Sequence, residues 1–480
     1  MKQLSQILKV ITVVDKTNIT DMLIENIATD SRLVKKNGIF FSVNGSNLNG
    51  RDFEQKAIEN GAKVIVSENE PEEYFPNVAY IKVKNVRKQI SIVSDFFYDS
   101  PSKKISVVGV TGTNGKSSVV NFLYQIFNSL GHKCGLISTI NYVIGDKKFD
   151  STHTTPDSIT LNSMLNEMVK ENCKFCFMEV SSHALSQFRV YAIKYKAGVF
   201  TNISHDHLDY HKTFEDYLKT KKSFFDSLAV DSKLIYNADD KNSSKIIEDS
   251  SAEIITYSLR KKTTYSCKVI ESSIYGLHLK INEKEIYTRV SGEFNAYNLL
   301  AVYATCIELN LKKEDVFIAI SNVVAPDGRF EIIKNKNFVS ILDYAHTDDA
   351  FRNIFSSIKK ITKKNITTVF GCGGDRDKHK RPVMLDVVSR NSDFVIITSD
   401  NPRSETFEEI TNDMLSNSSD DEIKRYMIVE DREQAIKLGC ILSSQKKSLL
   451  LVAGKGHEKF QEKNGIKIPF DDKKIITKYS

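Results

Sequence analysis

From Ile105 onward the chain alternates short apolar runs with stretches of helical period, and each run ends in polar or small residues. "ISVVGV" opens the series. It is followed by "SSVVNFLYQIFNSLG", where apolar positions recur every three to four residues, as on one face of a helix. "CGLIS", "CFMEVS", "AGVFTNI" and "KLIYNA" come next. Strands separated by helices predict a parallel, doubly wound sheet, with ligands gathered at the carboxyl ends of its strands. A stretch of alternating short strands, 252–292, is expected to decorate this unit, and "NAYNLLAVYATCIEL" reads as a helix after it.

Two punctuation points divide the chain. "DSPSKK" (99–104) is a polar connector with a proline, and "APDGRFEII" (325–333) carries Pro-Asp-Gly turn chemistry. Before the first lie "GIFFSV", "KVIVS" and "AYIKV" with helix-like runs between them; after the second come "FVSILDYA", "TTVFGCGG", "FVIITSD", "RYMIVED" and "SLLLVAGKG". The fold class expected is α/β in three domains, 1–98, 99–326 and 327–480, the central one a doubly wound sheet of phosphate-loop type.

Composition narrows the classes. At 480 residues, several domains are expected rather than one core. The 67 basic and 61 acidic residues are spread along the chain, and a net charge of +6 does not argue for nucleic acid. Seven scattered cysteines include one CxxC, Cys173 and Cys176, but no second pair at zinc-ribbon spacing; buried thiols in a reducing compartment are the expectation. No stretch approaches the roughly 18 apolar residues of a membrane helix, and "MKQLSQILKVI" lacks the features of a signal peptide. A cytoplasmic enzyme without a membrane or nucleic-acid partner fits these bounds.

Candidate chemistry starts at "GVTGTNGKSS" (109–118). A Walker loop wants glycine five places before Gly115-Lys116, where Val110 stands, while the glycines fall at 109 and 112. The loop is either a cradle with different spacing or a glycine-rich turn. A strand before it and a helix after it favour the cradle: Gly112 and Gly115 would admit phosphates to the backbone N–H groups, Lys116 would face the terminal phosphates, and Ser117 would suit Mg²⁺.

Other clusters sit at strand ends. In "MEVSSHALSQFRV", Glu179 is placed to hold a metal, while Ser181, Ser182 and His183 individually read as helix caps. In "TNISHDHLDYH", His207 and His211 have zinc-like spacing without the HExxH glutamate, so an Asp/His loop beside Mg²⁺ is preferred. Lys219, Lys221 and Lys222 ordinarily form a solvated helix face. Four loops of the last unit carry Asp, Arg, Lys or His after a strand, and four at one sheet edge predict a binding cleft.

Together "GVTGTNGKSS", "THTTPD", "MEVSSHALSQFRV", "TNISHDHLDYH", "DYAHTDDA", "GCGGDRDKHKRP", "DNPR" and "GKGHE" resemble the ATP-dependent Mur ligases of peptidoglycan synthesis, more narrowly the branch that adds the third stem residue. The similarity runs from "ATDSR" (28–32) to "GKGHE" (454–458). The family's own loop is GTNGK[ST], which accounts for the shifted glycine. The resemblance implies an N-terminal domain for the UDP end of the substrate, a central ATPase domain and a Rossmann-like C-terminal domain for the incoming amino acid.

It further implies that Gly112, Thr113, Asn114, Gly115, Lys116, Ser117 and Ser118 bind ATP, with Asn298, Arg329, Asp343 and His346. Ser31, Thr154, Thr155, Ser181, Gln187 and Arg189 would contact UDP-MurNAc-L-Ala-D-Glu. Glu179 and His205 with Ser117 would serve Mg²⁺, and Lys221, carbamylated, would bridge to a second ion. With Lys116, these make the expected catalytic set Lys116, Glu179, His205 and Lys221. Arg376, Asp400, Asn401, Pro402, Arg403, Gly454 and Glu458 match the amino-acid pocket. Arginine at the fourth DNPx position, Arg403, is similar to enzymes that add meso-diaminopimelate, because a guanidinium pairs with the extra carboxylate; a small uncharged residue there goes with L-lysine. Asp348 stands where the family has proline, and a looser turn is expected there. A monomer acting on small molecules is implied. Another Mur-type ligase, a folylpolyglutamate synthetase or a P-loop ATPase without ligase chemistry are the alternatives.

Overall fold

The computed structural model describes residues 1–45 and 49–480. Its central sheet has the spatial order Lys147–Asp150, Asn141–Ile144, Cys134–Ile137, Phe175–Glu179, Ser106–Thr111, Ala197–Phe200, Lys233–Asn237, Glu253–Ser258, Tyr265–Ser273, Gly276–Ile281 and Lys284–Tyr287. The strands from Cys134–Ile137 to Glu253–Ser258 run parallel, while antiparallel ribbons finish both edges. Ser106–Thr111 is buried along nearly its whole length, so its sequence shows a continuous apolar run rather than alternation. Val108 and Val110 face one core with helices Lys116–Ser129 and Phe294–Glu308, whereas Val107 faces the other with Ser158–Lys170.

The strands between residues 253 and 287 do not decorate this sheet; they continue it. Tyr257 pairs with Tyr265 in parallel register, and Leu277, Leu279, Ile281 and Ile286 pack into the same core as helix Phe294–Glu308. That helix is buried on most of its circumference, so apolar residues surround it instead of forming a stripe.

The N-terminal sheet is ordered Val13–Thr17, Ala79–Val83, Ala62–Ser67, Gly38–Phe41, Asn26–Ala28, and helix Val86–Phe97 packs on it. This helix docks on the central unit: Ser91 Oγ accepts the Ala192 N–H at 3.0 Å, and Lys88 Nζ lies 4.3 Å from the Tyr191 ring centre. The C-terminal sheet is ordered Glu331–Lys334, Val339–Asp343, Leu449–Ala453, Ile366–Phe370, Phe394–Ile397, Tyr426–Ile428 and is parallel except for its first strand. A hairpin, Phe460–Lys463 with Ile466–Pro469, stands outside it. All seven cysteines are free and buried. Among the described residues, no helix is long and apolar enough to cross a membrane.

Candidate active site

Ser106–Thr111 lies between Phe175–Glu179 and Ala197–Phe200; the helix that follows it, Lys116–Ser129, packs on one face of the sheet, while Ser182–Ser186 and Phe214–Asp226, which follow its two neighbours, pack on the other. That is a topological switch point, where loops splay apart and leave a crevice. Register places Glu179 beside Val110 and Phe200 beside Thr111, so the phosphate loop emerges flanked by both neighbouring strand ends.

Gly109, one of the two glycines that broke the Walker spacing, is a strand residue. A Cβ there would come 2.7 Å from the Phe224 ring and 2.8 Å from that of Tyr195, so glycine is required by packing. Gly112, at φ +152°, passes so close to Thr201 that a Cβ would meet its Oγ1 at 2.0 Å. Gly115, left-handed at φ +88°, is the N-cap of helix Lys116–Ser129 and has no side chain to cap it. The first-turn N–H groups therefore remain free to meet an anion, with the helix dipole behind them.

Two lysines converge on this loop. Lys116 Nζ donates to the carbonyls of Gly112 and Thr113, both at 2.8 Å. Lys221 Nζ donates to the same Gly112 carbonyl at 2.9 Å. Lys221 is 1% exposed; burial, reinforced by the Lys116 charge, holds its amine well below the usual lysine range. It lies on the buried stripe of helix Phe214–Asp226 with Tyr217, Leu218, Phe224 and Phe225, while Lys219 is exposed and Lys222 pairs with Asp226 and Asp249. The solvated-face reading holds for its neighbours and fails for Lys221 itself.

Glu179 is 1% exposed, with Oε1 accepting the Thr139 N–H at 2.7 Å and Oε2 the Thr139 hydroxyl at 3.2 Å. Thr139 Oγ1 is 3.1 Å from Thr154 Oγ1, and Thr155 Oγ1 donates to the Glu179 carbonyl at 2.7 Å. The Ser181 N–H donates to Thr155 Oγ1, and Ser181 Oγ caps a short helix through Ala184 N–H. Arg189 donates to the Thr155 carbonyl and, by Nε and Nη2, to Gln187 Oε1. Thr154, Thr155, Ser181, Gln187 and Arg189 thus form one network leading to Glu179. Ser31 belongs to the N-terminal unit, buried at the start of a 3₁₀ turn with its carbonyl taken by Asn60 Nδ2.

His205 is exposed, its ring 4.9 Å from Phe214. The next residue, absent from the expected site, is the buried one: Asp206 lies within 3.8 Å of His207, His346 and Lys380. Burial alone would raise its pKa, yet His207, His346, Lys380 and Lys116 together hold the carboxyl well below the usual range. The Asp/His pattern pointed at this loop, but only packing decides which member turns inward.

A cleft of about 560 Å³ opens between the central and C-terminal units. Asn114, Gly115, Ser118, Asn298, Arg329 and Asp343 all line it. Arg329 Nη2 donates to Ser117 Oγ at 3.0 Å, its guanidinium lies 4.5 Å from the Tyr344 ring centre, and its Nε is buried without a partner. Asp343 Oδ2 accepts the Phe330 N–H at 2.6 Å; burial pushes its carboxyl up to about 6 against the pull of Arg329. His346 Nδ1 sits 3.0 Å from the Tyr344 carbonyl. Asp348 does not loosen the turn: Thr347 Oγ1 caps helix Asp348–Ile361, where an acidic first residue faces the positive end of the dipole.

The C-terminal register pairs Asp343 with Ala453 and Phe370 with Ile397, bringing the four chemistry-laden loops to one edge. Asn401 is the hub: Oδ1 accepts Lys455 Nζ at 2.8 Å and the Glu462 N–H at 2.9 Å, and Nδ2 donates to Glu458 Oε2 at 2.7 Å. Lys455, missed in the sequence, is fully buried and 3.1 Å from Glu458. Asp400 is buried with Oδ2 unpartnered, close against Gly454, where any Cβ would meet it at 2.4 Å. Pro402 is buried beside Arg403, which adopts φ +54°, donates from Nη1 to the Gly374 carbonyl at 2.6 Å and faces Glu462 at 3.7 Å. Arg376 is exposed.

No group of three or more His, Cys, Asp or Glu among the described residues could hold a metal unaided. Mg²⁺ at a triphosphate needs only one or two protein oxygens, the rest coming from phosphates and water. The Ser117 hydroxyl and the Glu179 carboxylate are donors of that kind.

Comparison with known proteins agrees with this geometry. Residues 23–98 match the model "Mur ligase family, catalytic domain", 110–306 "Mur ligase middle domain" and 328–456 "Mur ligase, glutamate ligase domain". The chain is 44% identical over 477 residues to UDP-N-acetylmuramoyl-L-alanyl-D-glutamate--2,6-diaminopimelate ligase of Cytophaga hutchinsonii, covering 99% of this chain and 98% of that one. Its counterpart from Phocaeicola vulgatus is also 44% identical, with the same coverage. A solved structure of a ligase of that name superposes with TM-score 0.67 at 28% identity, over 95% of this chain and 94% of the other. With three models of the family matched along the chain and relatives 44% identical over 99% of it, the chain belongs to the Mur ligase family.

Proposed function

We propose that this chain joins meso-diaminopimelate to UDP-N-acetylmuramoyl-L-alanyl-D-glutamate in an ATP-dependent peptide ligation. The observation that carries the reading is Arg403: a guanidinium one quarter exposed, held by the Gly374 carbonyl beside the Asn401–Glu458 hub. It offers a fork to the second carboxylate of diaminopimelate and would repel the ammonium of lysine.

The reaction starts with transfer of the terminal phosphoryl group of ATP to the substrate carboxylate, giving an acyl phosphate and ADP. Lys116 and the N–H groups of the loop offset charge on the phosphates, and Arg329 reaches the same loop through Ser117. The amine of the amino acid then attacks the acyl carbon; the tetrahedral adduct expels phosphate and loses a proton, leaving an amide. Glu458 and Asp400 would orient the amino acid's ammonium groups, and the Thr154–Arg189 network would orient the acceptor end of the nucleotide substrate. Ser117 and Glu179 would hold Mg²⁺, which would supply further charge neutralisation on the phosphates.

Lys221 fits a carbamate. Carbamylation needs an uncharged amine to attack CO₂ and lose a proton, and burial shifts Lys221 toward that form. Its carboxylate would add an oxygen donor beside the loop. His205 has no such support; Asp206 is the better candidate in that segment. The reading is of a monomer in the cytoplasm, where ATP and both small molecules are available.

An amino-acid panel tests the proposal. Phosphate release should require both the UDP-MurNAc-dipeptide and an amino acid, with meso-diaminopimelate far better than L-lysine. Preference for lysine would sink the Arg403 reading, and release independent of both substrates would sink the ligase.

A further inference from the structure

The phosphate loop is tied to the C-terminal unit by a carboxylate that has no place in the scheme above. Asp349 is the second residue of helix Asp348–Ile361. Its Oδ2 accepts Asn114 Nδ2 at 2.8 Å, Ser204 Oγ at 3.2 Å and, within its own helix, Asn353 Nδ2 at 3.3 Å. One oxygen therefore joins three segments: the phosphate loop, the loop that carries Asp206, and the C-terminal unit.

Asn114 is otherwise held by the central unit alone. Its N–H donates to Asn202 Oδ1 at 2.9 Å, and its carbonyl accepts Thr201 Oγ1 at 2.6 Å and Asn202 Nδ2 at 3.1 Å. Only its side chain reaches across the cleft. It stands between Gly112 and Gly115, both at positive φ, so the local backbone has little rotational restraint of its own. The far end of the Asp349 helix also rests on the central unit: Ser357 Oγ accepts the Glu293 N–H at 3.2 Å, and Lys360 pairs with Glu293. The helix spans the cleft, with Asn353, Ile354 and Ser357 along its wall.

Asp349 lines the cleft as well, but its Oδ2 is taken by Asn114, Ser204 and Asn353, and its charge beside the phosphate loop would repel a triphosphate rather than hold it. What it can do is fix Asn114. We infer that Asp349 is a positioning residue: docking of the C-terminal unit through Asp349 and Asn114 holds the phosphate loop in its ATP-binding form. The inference rests on the ligase reading only for its use of ATP. In this scheme, separation of the two units frees the Asn114 side chain, and nucleotide affinity falls as the cleft opens.

The test uses the full-length chain with D349A, N114A, the double variant and D349N. Binding of a non-hydrolysable ATP analogue with Mg²⁺ is measured by calorimetry without any amino acid, alongside KM for each substrate. A hydrogen bond to a charged group sets the scale, so D349A and N114A are each expected to weaken nucleotide binding about tenfold. The double variant should be no weaker than N114A. D349N, which keeps an acceptor for Asn114 Nδ2 and removes the charge, should bind at least as well as the parent. Unchanged affinity in D349A, additive losses in the double variant, or D349N as weak as D349A would each overturn the proposal. If D349A melts early, D349N and N114A carry the test: both must split as stated, one retaining affinity and the other losing it. Because no amino acid is present, a wrong assignment of diaminopimelate leaves this result unaffected. Failure of the parent chain to bind any nucleotide would refute the ATP reading first.

Discussion

Replacing Arg403 by alanine separates specificity from catalysis. The guanidinium has five N–H donors. Nη1 spends one on the Gly374 carbonyl, and Nε faces Glu462, which leaves one hydrogen on Nη1 and two on Nη2. That is enough for a two-point grip on a carboxylate. Charge-assisted hydrogen bonds contribute about 1.5–3 kcal/mol each, and the quarter-exposed setting favours the lower value. Two bonds then give about 3 kcal/mol, or a loss in kcat/KM for meso-diaminopimelate of about two orders of magnitude. L-lysine offers no second carboxylate, so its kcat/KM should hold or rise as a repelling charge is removed. The assay is coupled ADP release at saturating ATP and nucleotide substrate, with each amino acid titrated separately. An equal loss for both amino acids would refute the reasoning, as would a loss below about fivefold for diaminopimelate, which is too small for two charged hydrogen bonds.

Lys221→Ala should lose at least about 100-fold in kcat, the usual scale for a charge acting on the transferred group, with partial recovery in formate or acetate; full activity without rescue would remove Lys221 from the mechanism. Asp343 contributes a pH dependence of stability with a definite sign. Its folded pKa of about 6 lies above the ordinary value of 3.8, so the folded state holds the extra proton and stability falls as pH rises from about 4 to about 6. A shift of about two units is worth about 3 kcal/mol, so Asp343→Asn should melt increasingly above the parent across that interval; a constant difference in melting temperature would contradict this. Arg432 and Asp472, both fully buried, are bonded at 2.8 and 2.7 Å. Asp472→Ala leaves the arginine uncompensated and should cost about 3–5 kcal/mol in urea unfolding, while Arg432→Met with Asp472→Leu should recover most of it; a single variant as stable as the parent would show the pair to be dispensable.

Much of this could be read along the chain, and the reasons differ from element to element. The apolar runs of the two larger sheets were plain because strands buried on both faces need continuous apolar residues. The short strands after residue 253 were recognisable as strands but not as part of the main sheet, since that depends on Tyr257 meeting Tyr265. The hairpin Phe460–Lys463 with Ile466–Pro469 gave little signal, because it buries few side chains and gains its place by gripping Asn401 and Arg403.

The phosphate loop shows the division most clearly. Glycine, lysine and serine at 112, 115, 116 and 117 carry their chemistry locally, in dihedral freedom, charge and a hydroxyl, so the order of residues alone announces an anion cradle. Gly109 looked like part of that motif; the rings of Tyr195 and Phe224, distant in sequence, make it a packing residue. Lys221 lay within reach of a helical-wheel reading, four residues after Tyr217 and three before Phe224, but its depressed pKa comes from burial and from Lys116 on another segment. Likewise no local rule distinguishes exposed His205 from buried Asp206. Residue order settles which groups are available; which of them meet, and in what charge state, depends on desolvation and on contacts between segments that only the closed fold creates.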